Sequence, residues 1–382
     1  MAAGGVVELL ILQPTPFCNI DCDYCYLPDR GVRTKMRPEV ARAAARQVAE
    51  AGLLGPRLSV VWHAGEPLTA GVSAFEELVG AVNEAVPPGT EVTHHVQTNA
   101  TLISEPWCQL FQRAGIRIGV SLDGPAFLHD AHRRTRSGRG THERTMAGVR
   151  ALTDHALTFH AIAVLTESSL DYPDEFYDFF RSLPVTLLGL NVEEIEGRNH
   201  RSSLQSLSIR PRYRRFLTRL FQRTGGDGFA LRVREFDSAL GAVRLSAGPP
   251  QTVWDQQNRP WSIVSVDCAG RYTTFSPELL GLPWGDDTFA LGNVLDTPIT
   301  EAAGSERFGR LAREIAAGVE ACRQKCEYFP YCGGGAPVNK YAENGSFAST
   351  ETLFCTLSRK MILDVVAEEL VSASRSRLRT RA

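Results

Sequence analysis

The stretch Phe17-Cys-Asn-Ile-Asp-Cys-Asp-Tyr-Cys-Tyr26 places three cysteines, Cys18, Cys22 and Cys25, within eight residues. Soft thiolate ligands select iron–sulfur clusters, zinc or copper(I). A cubane [4Fe–4S] cluster has four corners, so three cysteines would leave one iron open to a small molecule. Structural zinc favours four nearby ligands, but the nearest histidine to this loop is His63. The spacing therefore favours a cluster with an open iron, while zinc and inert buried thiols remain the alternatives.

Composition limits the kinds of partner that we expect. The chain has 382 residues, of which 43% are hydrophobic and 22% charged, an ordinary globular balance. Its formal net charge of -2 gives no field that would attract nucleic acid or an anionic membrane. The N-terminus lacks a basic n-region, and no run of about 18 apolar residues predicts a membrane span. Nine cysteines then indicate metal ligation in a reducing compartment, and we expect a cytoplasmic protein.

Strand and helix patterns alternate about six times along the first half of the chain. Apolar runs predict strands at 6–13, 58–62, 91–97, 116–122, 157–165 and 185–192. Helical patterns lie between them at 38–51, 69–85, 105–114, 141–155 and 172–182. This order predicts an α/β fold with a parallel sheet and right-handed crossovers, either open or closed into a barrel. In such folds the chemistry lies on loops at the carboxyl ends of the strands.

Polar residues follow three of these strands at that position. A glycine lets the backbone approach a ligand closely, and a neighbouring carboxylate can accept a hydrogen bond from an ammonium group. Taken singly, each of these loops also fits a tight turn with solvated side chains. The candidates are Gly65, Glu66, Pro67, Gln97, Asn99, Ser121, Asp123 and, slightly later, Arg133.

The cysteine loop resembles the Cys-x3-Cys-x-aromatic-Cys signature of radical S-adenosylmethionine enzymes, with Tyr24 at the aromatic position. The resemblance implies that the open iron chelates the cofactor's methionyl group, and that one electron cleaves its sulfonium to methionine and a 5′-deoxyadenosyl radical. A flavodoxin- or ferredoxin-type protein would donate that electron. His63-Ala-Gly-Glu-Pro67 resembles the family's Gly-Gly-Glu-Pro element, with Ala64 replacing the first glycine.

The same resemblance implies roles for the loop residues. Glu66 would hold the amino group of S-adenosylmethionine, Ser121 and Asp123 would face its ribose, and Arg133 would reach its carboxylate. Tyr24, Gly65, Pro67, Gln97 and Asn99 complete the predicted cofactor site.

A second cysteine group near the C-terminus consists of Cys322, Cys326, Cys332 and Cys355. Four soft ligands can close a cluster completely, and on spacing alone zinc fits equally well. Cys332-Gly-Gly-Gly-Ala-Pro337 resembles the SPASM extension of radical S-adenosylmethionine peptide maturases, which usually carries seven cysteines and two auxiliary clusters. Phe275 and Ala336 stand where two of those cysteines are expected. The resemblance therefore implies one auxiliary [4Fe–4S] cluster and leaves Cys268 without an assigned role.

These resemblances give a domain prediction. Residues 1–200 would form a partial (β/α)6 TIM-like barrel, 201–260 a helical linker, and 261–382 a SPASM-like extension with a C-terminal helix. Two clusters, one in each outer domain, would give about eight irons per chain.

Nearly the whole chain resembles the GrrM/OscB-type cyclophane-forming maturases, above all at 10–18, 332–341 and 344–350. The resemblance implies a carbon–carbon bond between an aromatic ring and the β-carbon of a nearby residue in a ribosomal precursor peptide. From their positions, Glu193, Glu194 or Glu278 would accept the ring proton. Two alternatives stay open. One is a sulfatase-maturating type of enzyme that oxidises Cys or Ser or makes a thioether, and the other is a zinc-stabilised peptide-binding protein without catalysis.

Overall fold

The computed structural model describes residues 5–245, 255–285 and 287–379. Eleven strands are found in the described residues, and the first six agree with the predicted order. They are β1 (Val7–Leu12), β2 (Leu54–Trp62), β3 (Glu91–Thr98), β4 (Arg117–Ser121), β5 (Phe159–Leu165), β6 (Val185–Val192), β7 (Ile263–Val266), β8 (Arg271–Thr274), β9 (Pro283–Trp284), β10 (Asp287–Thr288) and β11 (Gly292–Asn293).

Helices separate the first six strands and dominate the C-terminal part of the described chain. The helices before β7 are α1 (Pro38–Glu50), α2 (Val72–Ala85), α3 (Glu105–Arg113), α4 (Ala126–His132), α5 (His142–Asp154), α6 (Pro173–Arg181), α7 (Arg210–Gly226) and α8 (Arg234–Leu245). Those after β11 are α9 (Ile299–Gly304), α10 (Glu306–Lys325), α11 (Phe329–Cys332), α12 (Pro337–Asn344), α13 (Leu353–Cys355) and α14 (Met361–Arg379).

The sheet has the order β11-β8-β7-β1-β2-β3-β4-β5-β6, and β1 to β6 are parallel to their neighbours. This confirms the predicted α/β fold with a partial barrel of six parallel strands. Helix α4 was not predicted, because it has only seven residues and directly follows an Asp-Gly-Pro sequence that is typical of a turn.

Strand β7 extends this barrel with residues from the C-terminal part of the chain. It pairs in parallel with β1, with Ile11 opposite Ser265, and then returns antiparallel as β8. Ile11 and Ser265 line one cavity, together with Gln13 and Asp267, which directly follow these two strands. One sheet therefore contains strands from residues 1–200 and from residues 261–382, which the sequence analysis assigns to different domains.

The core lies between the sheet and its outer helices. Helix α1 buries an alanine-rich face, and α2 and α3 bury Phe75, Trp107 and Phe111 in edge and tilted ring contacts. These small and aromatic side chains hold the helices close to the strands, which fixes the positions of the strand ends. Within the described part of the chain, no helix is both long and apolar enough to cross a membrane.

Candidate active site

Cys18, Cys22 and Cys25 line one cavity of about 120 Å³ at the carboxyl ends of the barrel strands. Arg30 folds their loop: its carbonyl accepts from the Cys18 amide at 3.1 Å, and its guanidinium donates to the Cys22 carbonyl at 3.0 Å. An ion pair of 2.9 Å to Asp21 holds the guanidinium there. Burial raises the pKa of the Cys18 and Cys22 thiols to about 12, so they need a metal to become thiolates at neutral pH.

Six of the nine predicted cofactor residues line this cavity with the cysteines. They are Gly65, Glu66, Gln97, Asn99, Ser121 and Arg133. Tyr24, Pro67 and Asp123 are not among its lining residues. The loops at the carboxyl ends of the strands therefore place most of these residues at one cavity.

Asp123 and Tyr24 instead position Arg133. The Asp123 carboxylate accepts from Arg133 Nε at 2.8 Å and Nη2 at 3.0 Å, from the Val164 amide at 2.9 Å, and from the Tyr24 hydroxyl. Arg133 is 7% exposed and its guanidinium lies 5.5 Å from the centre of the Tyr24 ring. Although burial opposes it, the Arg133 charge holds the pKa of Asp123 below its usual value. The pair is buried and charged, so it keeps a cation at the cavity wall.

Glu66 is 1% exposed and joins the loops that follow β2 and β3. Its carboxylate accepts from the Asn99 amide at 2.8 Å, the Thr98 hydroxyl at 2.7 Å and the Leu68 amide at 3.0 Å. Burial nevertheless raises its pKa to about 7. Three protein donors thus already occupy the carboxylate that the sequence assigns to the cofactor.

The turn before Glu66 contains two residues with positive φ angles. Ala64 and Gly65 have φ of 71° and 64°, in the left-handed region that favours glycine. A Cβ on Gly65 would meet the Thr15 carbonyl oxygen at 2.2 Å. Gly65 is therefore needed for close approach, and Ala64, which replaces a glycine of the resembled motif, adopts a strained conformation there.

A second cavity of about 350 Å³ adjoins the first, and Tyr26, Leu27 and His63 line both. Its walls are largely apolar, formed by residues such as Ile11, Val266 and Leu282. Ser265 and Glu278 line it, and each has one buried polar atom, Oγ and Oε2 respectively, without a hydrogen-bond partner among the described residues. Cys268, which the sequence left without a role, also lines this cavity.

Buried carboxylates lie beside the second cavity, where the loop after β6 meets α12. Glu194 accepts from Asn339 at 2.7 Å, and burial with the nearby Glu278 raises its pKa to about 7. Glu196 is 4% exposed, and burial with Glu278 and Glu194 raises its pKa well above its usual value. Burial also raises the pKa of Glu278. Each of these acidic groups therefore holds its proton more tightly than an exposed carboxyl group does.

The third predicted proton acceptor lies elsewhere. Glu193 accepts from the Ser203 amide at 2.6 Å and from its hydroxyl. Successive residues in extended backbone point to opposite sides, so Glu194 and Glu196 share a side and Glu193 does not. That alternation is visible in the sequence and could have identified Glu196.

Cys322, Cys326, Cys332 and Cys355 line a third cavity, of about 420 Å³. They come from the end of α10, the residue after it, the end of α11 and the end of α13. Within residues 5–245, 255–285 and 287–379, no group of three or more Cys, His, Asp or Glu side chains converges to hold a single metal ion. The donor set is soft and the cavity is large, which fits a cluster bound by four thiolates.

The two positions that depart from the seven-cysteine pattern are filled by apolar packing. Phe275 is 1% exposed and stacks on Phe308 at 6.4 Å between ring centres, while Ala336 is buried before α12. Neither offers a ligand. Cys108 is buried in α3, far along the chain from both cysteine groups.

Comparison with known proteins identifies relatives of this architecture. The profile of the radical SAM superfamily matches residues 12–197. An uncharacterised protein of Synechocystis is 41% identical over 372 residues, which cover 95% of this chain and 92% of the relative. A serine-type anaerobic sulfatase-maturating enzyme of Klebsiella aerogenes is 32% identical over 199 residues, about half of each chain (51% and 49%).

Two solved structures share the fold over nearly the whole chain. Native anSMEcpe with bound AdoMet superimposes with a TM-score of 0.76 at 22% identity and covers 96% of this chain and 99% of that one. Streptococcus suis SuiB bound to precursor peptide SuiA gives a TM-score of 0.64 at 15% identity, over 93% of this chain and 76% of that one. At these identities the likeness concerns the fold.

Proposed function

Because the chain belongs to the radical SAM superfamily, we propose that it modifies a ribosomally made precursor peptide, joining an aromatic ring carbon to the β-carbon of a nearby residue. The observation that carries this proposal is the adjacency of two cavities. A cavity lined by three cysteines and six of the predicted cofactor residues opens beside a larger, mostly apolar cavity that is bordered by protonatable carboxylates.

The first cavity would bind the [4Fe–4S] cluster through Cys18, Cys22 and Cys25 and S-adenosylmethionine through the strand-end residues. Arg133, fixed by Asp123 and Tyr24, offers a positive charge for the cofactor carboxylate. Ser121 and Gln97 are joined by a hydrogen bond of 2.9 Å and present hydroxyl and amide groups suited to a ribose. Glu66 has one remaining acceptor position beyond its three protein donors, which suits an ammonium group.

The second cavity would take the aromatic side chain of the peptide. Aliphatic walls favour a ring, and Ser265 and Glu278 supply unpaired polar atoms that orient it. Tyr26 and His63 separate this space from the first cavity, and their side chains lie 3.5 Å apart. Burial lowers the pKa of His63 to about 4, so this partition carries no positive charge at neutral pH.

Forming the crosslink removes two hydrogens from the peptide: an atom from the β-carbon, then a proton and an electron from the ring. S-adenosylmethionine bound with the first cluster would supply the radical chemistry that the hydrogen atom requires, and a cluster held by Cys322, Cys326, Cys332 and Cys355 would supply an electron acceptor. Glu278 and Glu194 would take the proton, because burial raises the pKa of both carboxyl groups and an ionised form would then bind a proton more tightly than an exposed carboxylate does. An exchangeable flavodoxin- or ferredoxin-type donor would reduce the first cluster.

A sulfatase-maturating reaction is the second candidate, and the 32% identity to the Klebsiella enzyme over 199 residues favours it. Mass spectrometry separates the two. We expect a synthetic peptide with Trp, Tyr or Phe close to a second side chain to lose two hydrogens and to yield fragments that stay joined across the ring. Oxidised Cys or Ser in a matched peptide, without joined fragments, would establish the alternative.

Iron content tests the cofactor assignment. Reconstituted protein should hold about eight irons per chain, and the Cys18/Cys22/Cys25→Ala variant about four, with no cleavage of S-adenosylmethionine. A value near twelve would require a second auxiliary cluster despite Phe275 and Ala336. Cleavage at the normal rate in the triple variant would refute the radical assignment, and zinc in place of iron would favour the binding protein without catalysis.

A further inference from the structure

The cavity of the four late cysteines is lined by cations as well as thiols. Glu327 and Glu351 are the carboxylates among its lining residues. The cationic side chains are Lys325, Lys340, Arg359 and Lys360. A cluster held by four thiolates carries net negative charge, so these cations face the group that the cavity would bind.

Two of these four cations, Lys340 and Lys360, have close protein partners for their ammonium groups. Lys360 pairs with Glu351 at 3.0 Å, and the Lys340 ammonium donates to the Gly318 carbonyl at 2.9 Å. Lys325 lies at the exposed rim. These positions are explained without a ligand.

Arg359 differs from them. It lies on the π-helical turn Thr356–Lys360, which directly follows Cys355, and one end of its guanidinium is 3.6 Å from Asp255. Its Nε is buried and has no hydrogen-bond partner among the residues that the structure describes. A buried, unpaired donor on a charged group is costly unless a ligand accepts from it.

We propose that Arg359 donates from Nε to a sulfur of the auxiliary cluster and thereby raises the reduction potential of that cluster. This inference rests on the proposed function, which places a cluster on the four cysteines. Reduction adds one negative charge, so a nearby cation and a hydrogen bond to sulfur stabilise the reduced form more than the oxidised form. The cluster then accepts an electron from the peptide more readily than it would without Arg359.

The test is a redox titration, followed by electron paramagnetic resonance, of full-length protein in the Cys18/Cys22/Cys25→Ala background, so that one cluster gives the signal. Arg359→Gln should make reduction about tenfold less favourable, a fall of about 59 mV for one electron. Lys325→Gln removes the same charge at the exposed rim and should change the potential much less. Arg359→Lys keeps the charge without Nε and should fall between the two.

Each outcome decides the inference. Equal potentials in Arg359→Gln and the background protein, or equal shifts in Arg359→Gln and Lys325→Gln, would overturn it. If Arg359→Gln fails to retain iron, Arg359→Lys decides: an unchanged potential refutes the hydrogen bond, and a lowered one supports it. A background variant without iron refutes the proposed auxiliary cluster itself, whereas about four irons with an unmoved potential refutes only the role of Arg359.

Discussion

The two cysteine sites differ in how completely the charged residues around them are buried and hydrogen-bonded by the protein. The first uses three cysteines of one short loop around about 120 Å³, and its charged neighbours Glu66, Asp123 and Arg133 are buried and hydrogen-bonded. The second draws four cysteines from helix ends around about 420 Å³. Three of its four cations, all but the buried Lys340, are more exposed than those neighbours, and the Arg359 Nε has no partner among the described residues.

This difference follows from where each site lies in the fold. Carboxyl ends of parallel strands converge by geometry, so a barrel can fix a binding site before any ligand arrives. Helices joined by loops have no sheet to align their ends, and in our proposal a bound cluster would supply the missing cross-link. We therefore expect the first site to depend on its protein network and the second on its ligand.

The largest effect should come from breaking the buried pair of the first site. Asp123→Asn leaves the Arg133 guanidinium buried without its countercharge and should lower the free energy of unfolding by about 3–5 kcal/mol. The matched change at the second site, Asp255→Asn, removes the partly exposed partner of Arg359 at 3.6 Å and should cost about 1 kcal/mol or less.

Denaturant unfolding under anaerobic conditions measures both variants. Equal losses in Asp123→Asn and Asp255→Asn would mean that the two sites are equally preformed, and the comparison would fail.

Sequence patterns predicted the first site better than the second. The six strands and their loops follow from apolar runs and turn residues, and those loops meet because parallel strands end at one edge. Arg30 and Tyr26 were missed, since an arginine that folds a loop and a tyrosine between two cavities have no local signature. Their roles arise from contacts that only the folded loop creates.

For the second site, the sequence predicted the four cysteine ligands but not the residues that surround them. Cysteine spacing gives the four thiols, but strands β7 and β8 are short and were not predicted, and their pairing with β1 is a long-range contact. The neighbours Lys360 and Arg359 are surface-like in sequence. Their position at the cysteine cavity depends on a π-helical turn, which has no clear sequence pattern.

Glu66 should show an intermediate effect. The Glu66 carboxylate accepts from three protein donors and, in our proposal, from the cofactor ammonium. Glu66→Gln replaces one of its acceptor oxygens with an NH2 group, which donates. We expect S-adenosylmethionine to bind more weakly by about 1.5–3 kcal/mol, measured by calorimetry on reconstituted protein. Glu351→Gln, which removes a carboxylate at the second site, is the control and should leave this affinity unchanged.

The smallest effect concerns the proton acceptor between the sites. Glu194 lies near Glu278, Glu343 and Arg234 and accepts from Asn339, and burial raises its pKa from 4.5 to about 7. A raised carboxyl pKa means that the group is protonated below about pH 7 and can accept a proton only above it. Crosslinks formed per S-adenosylmethionine cleaved should therefore rise about tenfold between pH 6 and pH 8, as the ionised fraction grows from about one-tenth to nine-tenths.

Glu194→Gln separates this role from a structural one. A glutamine keeps the hydrogen-bonding size of the side chain but cannot ionise, so the ratio should be low and nearly independent of pH while cofactor cleavage continues. The folded state binds the Glu194 proton more tightly than the unfolded state, so between pH 4.5 and 7 the contribution of Glu194 to the stability of the parent protein falls as pH rises, and Glu194→Gln should remove this contribution. Glu193→Gln is the matched control, because its carboxylate faces Ser203 and should leave both pH profiles unchanged. If Glu193→Gln flattens the profile and Glu194→Gln does not, the proton leaves on the other side of the loop, and the carboxylates between the two cysteine sites have no part in the reaction.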